Sequence, residues 1–137
     1  MGESTSLERP TRGMKLAIST ASDARYVPGR RHFFQYRDLG VTEATGGKMR
    51  AQVTSAKTAM DRETGWHYHT CDMQFVYILR GFVDVEFAGG RKARFGAGDS
   101  VMIPGGLPHQ EVATSDDLEL IEVSVPAEMG TEACDPA

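Results

Sequence analysis

Apolar residues in this chain come in short runs, and glycine or proline closes most of them. Met49, Ala51 and Val53 alternate with Arg50, Gln52 and Thr54, which is the period of a half-buried strand. Met73 to Leu79 is apolar or aromatic apart from Gln74, and Gly81 stops it. Val83, Val85 and Phe87 then alternate with Asp84 and Glu86 before Gly89-Gly90, so the two runs predict a hairpin. Ser100 to Ile103 forms another short run, closed by Pro104-Gly105-Gly106. In the last run, Leu118 to Val125, Leu118, Leu120 and Glu122 share one face. Ile121, Val123 and Val125 take the other face or a bulge. No window carries a helical stripe over three turns. Short strands at regular spacing predict an all-β sandwich or barrel.

The 137 residues fit one domain with a sizeable core. Hydrophobic residues make up 40% and charged residues 25%, a globular balance. Nineteen acidic residues against fifteen basic ones give a net charge of -4, which argues against nucleic acid as a partner. Arg30-Arg31 and Arg91-Lys92 read as solvated edges. No stretch approaches the ~20 apolar residues that span a bilayer, and Met1 to Gly13 lacks the apolar core of a secretory signal. A cytoplasmic location and no membrane partner are therefore expected. Cys71 and Cys134 are too few for a disulfide framework and are expected to stay reduced. Residues 1–15 are expected to form a flexible arm, 16–126 the barrel and 127–137 an irregular tail. Phosphate-loop, nucleophile-elbow and CxxC signatures are absent.

The candidate chemistry lies in four histidines: His32, His67, His69 and His109. In a strand, residues i and i+2 point to one face, so His67 and His69 can aim two imidazoles at one point. Imidazole is a common ligand for late first-row divalent metals. His109 follows Pro104-Gly105-Gly106-Leu107-Pro108, a rigid turn that fixes its direction.

Gly65-Trp66-His67-Tyr68-His69, with Gln74 and Gly81, resembles the first cupin motif. Gly98-Asp99 through Pro104-Gly105-Gly106 to His109 resembles the second, and sixteen residues separate Gly81 from Gly98. The resemblance spans about residues 50–125 and implies a cupin jelly-roll β-barrel, a double-sheet sandwich closed around a metal-containing cavity. It carries over His67, His69 and His109 as three ligands. Three departures stand out: Gly65 is nearer His67 than in the family, Ala113 replaces a common Asn, and Gln74 stands where the family usually has Glu.

Gln74 is therefore a candidate fourth ligand through its amide oxygen, with a hydrogen-bonding strand residue as the competing reading. An amide cancels none of the metal's charge, which favours a small anionic substrate, and it cannot serve as a base. Glu111 and His32 are the candidate bases; a solvent-facing ion pair and a surface histidine are their plainer roles. Arg50 and Gln52 are candidate substrate contacts, with Arg50 able to clamp a carboxylate. Trp66 and Met102 are the candidate apolar pocket walls. Cys71 reads as a small buried residue.

The resemblance implies one divalent metal per chain, Fe(II) first, with Mn, Ni, Co, Cu and Zn as alternatives. It further implies a dioxygenase acting on a small organic molecule with O2. A metal-dependent isomerase, lyase or decarboxylase and a non-catalytic ligand-binding module are the alternatives. Cupin barrels commonly pair, so a homodimer is expected, with the N-terminal segment a candidate contact.

Overall fold

A computed structural model of the chain describes residues 12–136. Most of the expected N-terminal arm, residues 1–11, lies outside the described residues. Among the described residues, a single turn of 3-10 helix (Ala21–Asp23), eleven strands and one short α-helix follow in chain order. After the 3-10 turn come β1 (Val27–Pro28), β2 (Phe34–Asp38), α1 (Val41–Ala44), β3 (Arg50–Ala56), β4 (His67–His69) and β5 (Met73–Arg80). Next come β6 (Phe82–Phe87), β7 (Arg91–Gly96), β8 (Ser100–Pro104), β9 (His109–Thr114), β10 (Glu119–Val125) and β11 (Thr131–Ala133). All pairings are antiparallel and make two sheets, ordered β1-β2-β3-β10-β5-β8 and β11-β4-β9-β6-β7. This is the expected jelly-roll sandwich. None of its helices is long and apolar enough to cross a membrane, among the described residues.

The runs read from the sequence become β3, β5, β6, β8 and β10, but the expected hairpin between the β5 and β6 runs does not form: the chain crosses at Gly81 from one sheet to the other, and β6 pairs instead with β7 across the Gly89-Gly90 turn. The core between the sheets comprises Val76 and Ile78 of β5, Val83, Val85 and Phe87 of β6, and Ile103, Leu118 and Leu120. Strand β3 departs from the simplest expectation. Its alternation does not put the apolar set inward. Arg50, Gln52 and Thr54 line the cavity between the sheets. Ala51 and Val53 occupy the opposite face, buried, on the strand that α1 contacts. Both faces are thus out of solvent.

Residues 127–137 are not uniformly irregular, as the sequence led us to expect. Strand β11 pairs along β4, with Thr131 opposite His69 and Ala133 opposite His67. A three-residue strand leaves no alternation long enough to read, and β4 offers it an open edge.

The proline-glycine turn before β9 is packed against the connection between β4 and β5. Gly105 N–H donates to Asp72 O at 2.9 Å, and Gly106 N–H donates to His69 O at 2.9 Å. A Cβ on Gly105 would run into the carbonyl oxygen of Cys71, a backbone atom that cannot swing aside. Gly105→Ala is therefore expected to destabilise the protein by about 1–3 kcal/mol, read by chemical denaturation. An unchanged midpoint would show that this turn has slack.

Candidate metal centre

His67 and His109 face each other across the β4–β9 pair, and His69 sits one pleat further along β4. Their ring centroids lie 4.5 to 5.2 Å apart. One ring nitrogen from each lies within 4.8 Å of the others, and all three residues are buried. The register explains this: i and i+2 of β4 share a face, and the pairing brings His109 onto it.

Backbone carbonyls set the tautomers. His67 Nδ1–H donates to Gly65 O at 2.6 Å, His69 Nδ1–H to Gly130 O at 3.0 Å, and His109 Nδ1–H to Leu107 O at 3.0 Å. A carbonyl only accepts, so each Nδ1 carries the proton and each Nε2 keeps its lone pair. Thr131 Oγ1 lies 3.1 Å from His69 Nδ1 as well. Gly130 (φ +59°) lies where only a residue without Cβ fits, since a Cβ would strike Thr70. Burial lowers the His67 pKa, against the pull of the Glu111 charge. Burial also lowers His69 to about 4, and the neighbouring imidazoles add to the effect. Neutral imidazoles with free Nε2 atoms are the form that binds metal.

His109 Nε2 and Gln74 Oε1 are buried with no hydrogen-bond partner. Orphaned acceptors at one cavity fit a cation. The three histidines therefore fit a divalent metal, and Gln74 presents a further oxygen on the opposite sheet.

The remaining polar groups divide into two sets. Glu111 lies on β9 with Oε1 3.9 Å from His67 Nε2 and Oε2 3.7 Å from His109 Nε2. Thr64 Oγ1–H donates to Glu111 Oε1 at 3.0 Å, and Glu111 N–H donates to Thr64 Oγ1 at 2.9 Å. The solvent-facing alternative for Glu111 is overturned: its side chain is only 25% exposed and lines the cavity. A bulge in the β6–β9 pairing follows Glu111, a common device beside functional sites.

The second set surrounds Glu122 of β10. Gln52 Nε2 donates to Glu122 Oε1 at 2.9 Å, Arg50 Nη2 donates to the same oxygen at 3.3 Å, and Gln74 Nε2 donates to Oε2. Burial pushes the Glu122 carboxyl above the usual carboxylate range, while Arg50 and the two amides pull it down. Sequence reasoning did not single out Glu122. The one available signal was a carboxylate in phase with Leu118 and Leu120, on a face those residues marked as inward.

Several expected site residues lie elsewhere. His32 is an exposed residue whose Nε2 contacts Asp61 Oδ2 at 2.7 Å, and it does not line the cavity. Met102 is 53% exposed on the outer face of β8, while its neighbours Val101 and Ile103 line the cavity. Trp66 borders a separate shallow pocket beside Phe87 and Arg91. The reason is common to Trp66 and Met102: adjacent strand residues point to opposite faces, so a residue next to a lining position points away. Arg50 and Gln52 do line the cavity, and both already hold Glu122. Arg30 and Arg31 are not mere solvated edges, because both border the cavity. Cys71 is buried and free, and Cys134 is free.

The cavity measures about 480 Å³, a size suited to a small organic molecule. One part is apolar, with Val76, Val85 and Ile103; the other carries His67, His69, Glu111, Glu122 and the arginines.

The family model of the cupin domain matches residues 58–125. Similar solved structures include KdgF from a Halomonas species, with 20% identity, 80% of this chain and 94% of that chain covered, and a TM-score of 0.67. The polyketide cyclase RemF from Streptomyces resistomycificus has 18% identity, covers 89% and 87%, and has a TM-score of 0.69. HppE, solved with Fe(II) and the alternative substrate (S)-1-HPP, has 18% identity, covers 84% and 65%, and has a TM-score of 0.63. No curated protein matches at the level of sequence. With both histidine motifs, the jelly-roll and the domain match in place, the chain belongs to the cupin superfamily.

The lowered histidine pKa values give a signed expectation. Protons compete with metal only where they bind imidazole, and both His67 and His69 bind them below the ordinary value of about 6.5. Affinity for Co(II), measured by chelator competition, is expected to stay level from about pH 8 to 6.5 and to fall toward about pH 4. A fall already complete by about pH 6 would contradict the buried, carbonyl-locked state.

Proposed function

We propose that the chain is a metal-dependent cupin enzyme acting on a small organic substrate, and specifically an O2-using dioxygenase with His67, His69, His109 and Gln74 around the metal. The observation that carries this reading is the set of three buried, tautomer-locked imidazoles beside a cavity of about 480 Å³. A divalent metal there, iron first, supplies redox chemistry toward O2 and polarises a substrate oxygen. An all-neutral ligand set favours the ferrous state. HppE, a fold neighbour, was itself solved with Fe(II).

The protein's own groups have distinct tasks in this reading. Val76, Val85 and Ile103 exclude water from the inner part of the cavity. Arg30 and Arg31 at its border favour a substrate with an anionic end. Glu111, with Thr64 donating to its Oε1, takes or returns a proton at the substrate. Glu111 also favours a second reading, a metal-dependent isomerase or lyase, because proton transfer beside a Lewis acid needs no O2. Activity that survives replacement of iron by zinc separates that reading from the first.

The direct test is anaerobic loading with Fe(II), then O2 uptake with a panel of 1,3-diketones, flavonols and thiols. Uptake with at least one class is expected; none across the panel, with metal verifiably bound, would sink the dioxygenase reading. In the active assay, Glu111→Gln is expected to lower kcat at least about 100-fold with metal content unchanged.

A homodimer is part of the same proposal. Met73, Phe75, Tyr77 and Leu79 form an outward row on β5, each 38–42% exposed, and Met102 pairs beside Phe75. A second copy covering this row would remove an apolar patch from water. Phe75→Glu with Tyr77→Lys is expected to convert the dimer into a monomer on gel filtration. A wild-type protein already running at its monomer mass of 15.0 kDa would refute the dimer.

A further inference from the structure

We propose that Glu122 is a positioning residue that fixes which end of the Gln74 amide is available to the metal. The inference rests on the reading of His67, His69, His109 and Gln74 as a metal site.

A glutamine side chain ends in an oxygen that accepts and a nitrogen that donates, and rotation by half a turn exchanges them. Only the oxygen can ligate a cation. With its nitrogen toward the histidines, the side chain would put N–H groups against a cation and its oxygen against the Glu122 carboxylate. An ionised Glu122, which can only accept, disfavours that arrangement. Its two oxygens have separate partners: Oε1 receives Gln52 Nε2 at 2.9 Å and Arg50 Nη2 at 3.3 Å, and Oε2 receives Gln74 Nε2.

The sheet order makes this division possible. Strand β10 lies between β3 and β5, with Glu122 opposite Gln52 on one side and opposite Val76 on the other. Gln74 is one pleat from Val76 on the same inward face. One inward carboxylate on the middle strand thus reaches donors on both neighbours. β3 anchors it, and it anchors the amide on β5. Gln74 Oε1 is left buried with no partner in the protein. The negative charge that the cupin pattern places on the ligand itself is here one strand away, behind a neutral amide.

The test is a double-mutant cycle read by Co(II) affinity and by the Co(II) visible spectrum. Glu122→Leu removes the acceptor at similar volume. Glu122→Asp keeps the charge and withdraws it from Gln74, and it carries the test where the leucine variant does not fold. Each variant is compared at a melting temperature near wild type. Both are expected to weaken Co(II) binding about tenfold and to shift the spectrum toward that of Gln74→Ala. In the Gln74→Ala background the same changes are expected to cost little more.

An equal loss in both backgrounds would mean that Glu122 acts by its charge alone and would overturn the proposal. So would unchanged affinity in the aspartate variant. Should Gln74→Ala bind Co(II) like wild type with the same spectrum, while His67→Ala does not bind, the underlying assignment of Gln74 as a ligand fails. Absence of Co(II) binding by the wild type would remove the metal reading altogether.

Discussion

Each imidazole of the cluster donates its Nδ1–H to a backbone carbonyl, and the rest of the site depends on those three bonds. They come from Gly65, Gly130 and Leu107, in three separate loops. A buried histidine free to exchange tautomers could satisfy itself in several ways. Here a carbonyl that can only accept removes the choice and leaves each Nε2 as a lone pair. Burial then keeps His67 and His69 neutral, because charging them inside the sandwich is unfavourable. The loops are therefore part of the centre, and the glycines in them are there for space: Gly105 against Cys71 and Gly130 against Thr70.

The opposite sheet solves a different problem. Arg50, Gln52, Gln74 and Glu122 all enter a space that a small β-sandwich would ordinarily fill with aliphatic side chains. Buried polar groups are tolerated only when their partners are complete. Glu122 receives two amides and a guanidinium, so this cluster is largely self-satisfied. Its open ends are Gln74 Oε1 and Arg50 Nε, on the cavity side of the fold. The aliphatic core continues beyond it through Ile78, Leu118 and Leu120. Polarity is confined to the part of the interior that a ligand reaches, and the packed remainder supplies rigidity.

Two carboxylates thus stand near three imidazoles without the family's usual carboxylate among the ligands. Glu111 approaches from the histidine sheet, held by Thr64, and Glu122 from the facing sheet, held by Gln52 and Arg50. Their environments differ. Glu111 borders open cavity between His67 and His109, while Glu122 is enclosed and its pKa is raised by that enclosure. In the proposed function the first exchanges protons with a bound molecule, and in the further inference the second holds a neighbour.

Local pattern determined the strands and the histidine centre. Short apolar runs bounded by glycine or proline marked β5, β8 and β10. Alternation of polar and apolar residues marked β3 and β6, because a pleated strand repeats every two residues whatever surrounds it. The His67-x-His69 spacing marked two candidate ligands for the same reason, and the resemblance of the turn and His109 to the second cupin motif implied the third. Tertiary structure alone decided which face of each strand is the inside of the cavity. Phase along a strand is local, but its sign depends on what packs against each face. That is why Trp66 and Met102, one residue from lining positions, turn outward, and why the polar set of β3 turns inward. It is also why Glu122 emerged only in the folded chain. Its meaning comes from donors at residues 50, 52 and 74, and only the order β3-β10-β5 brings those beside it.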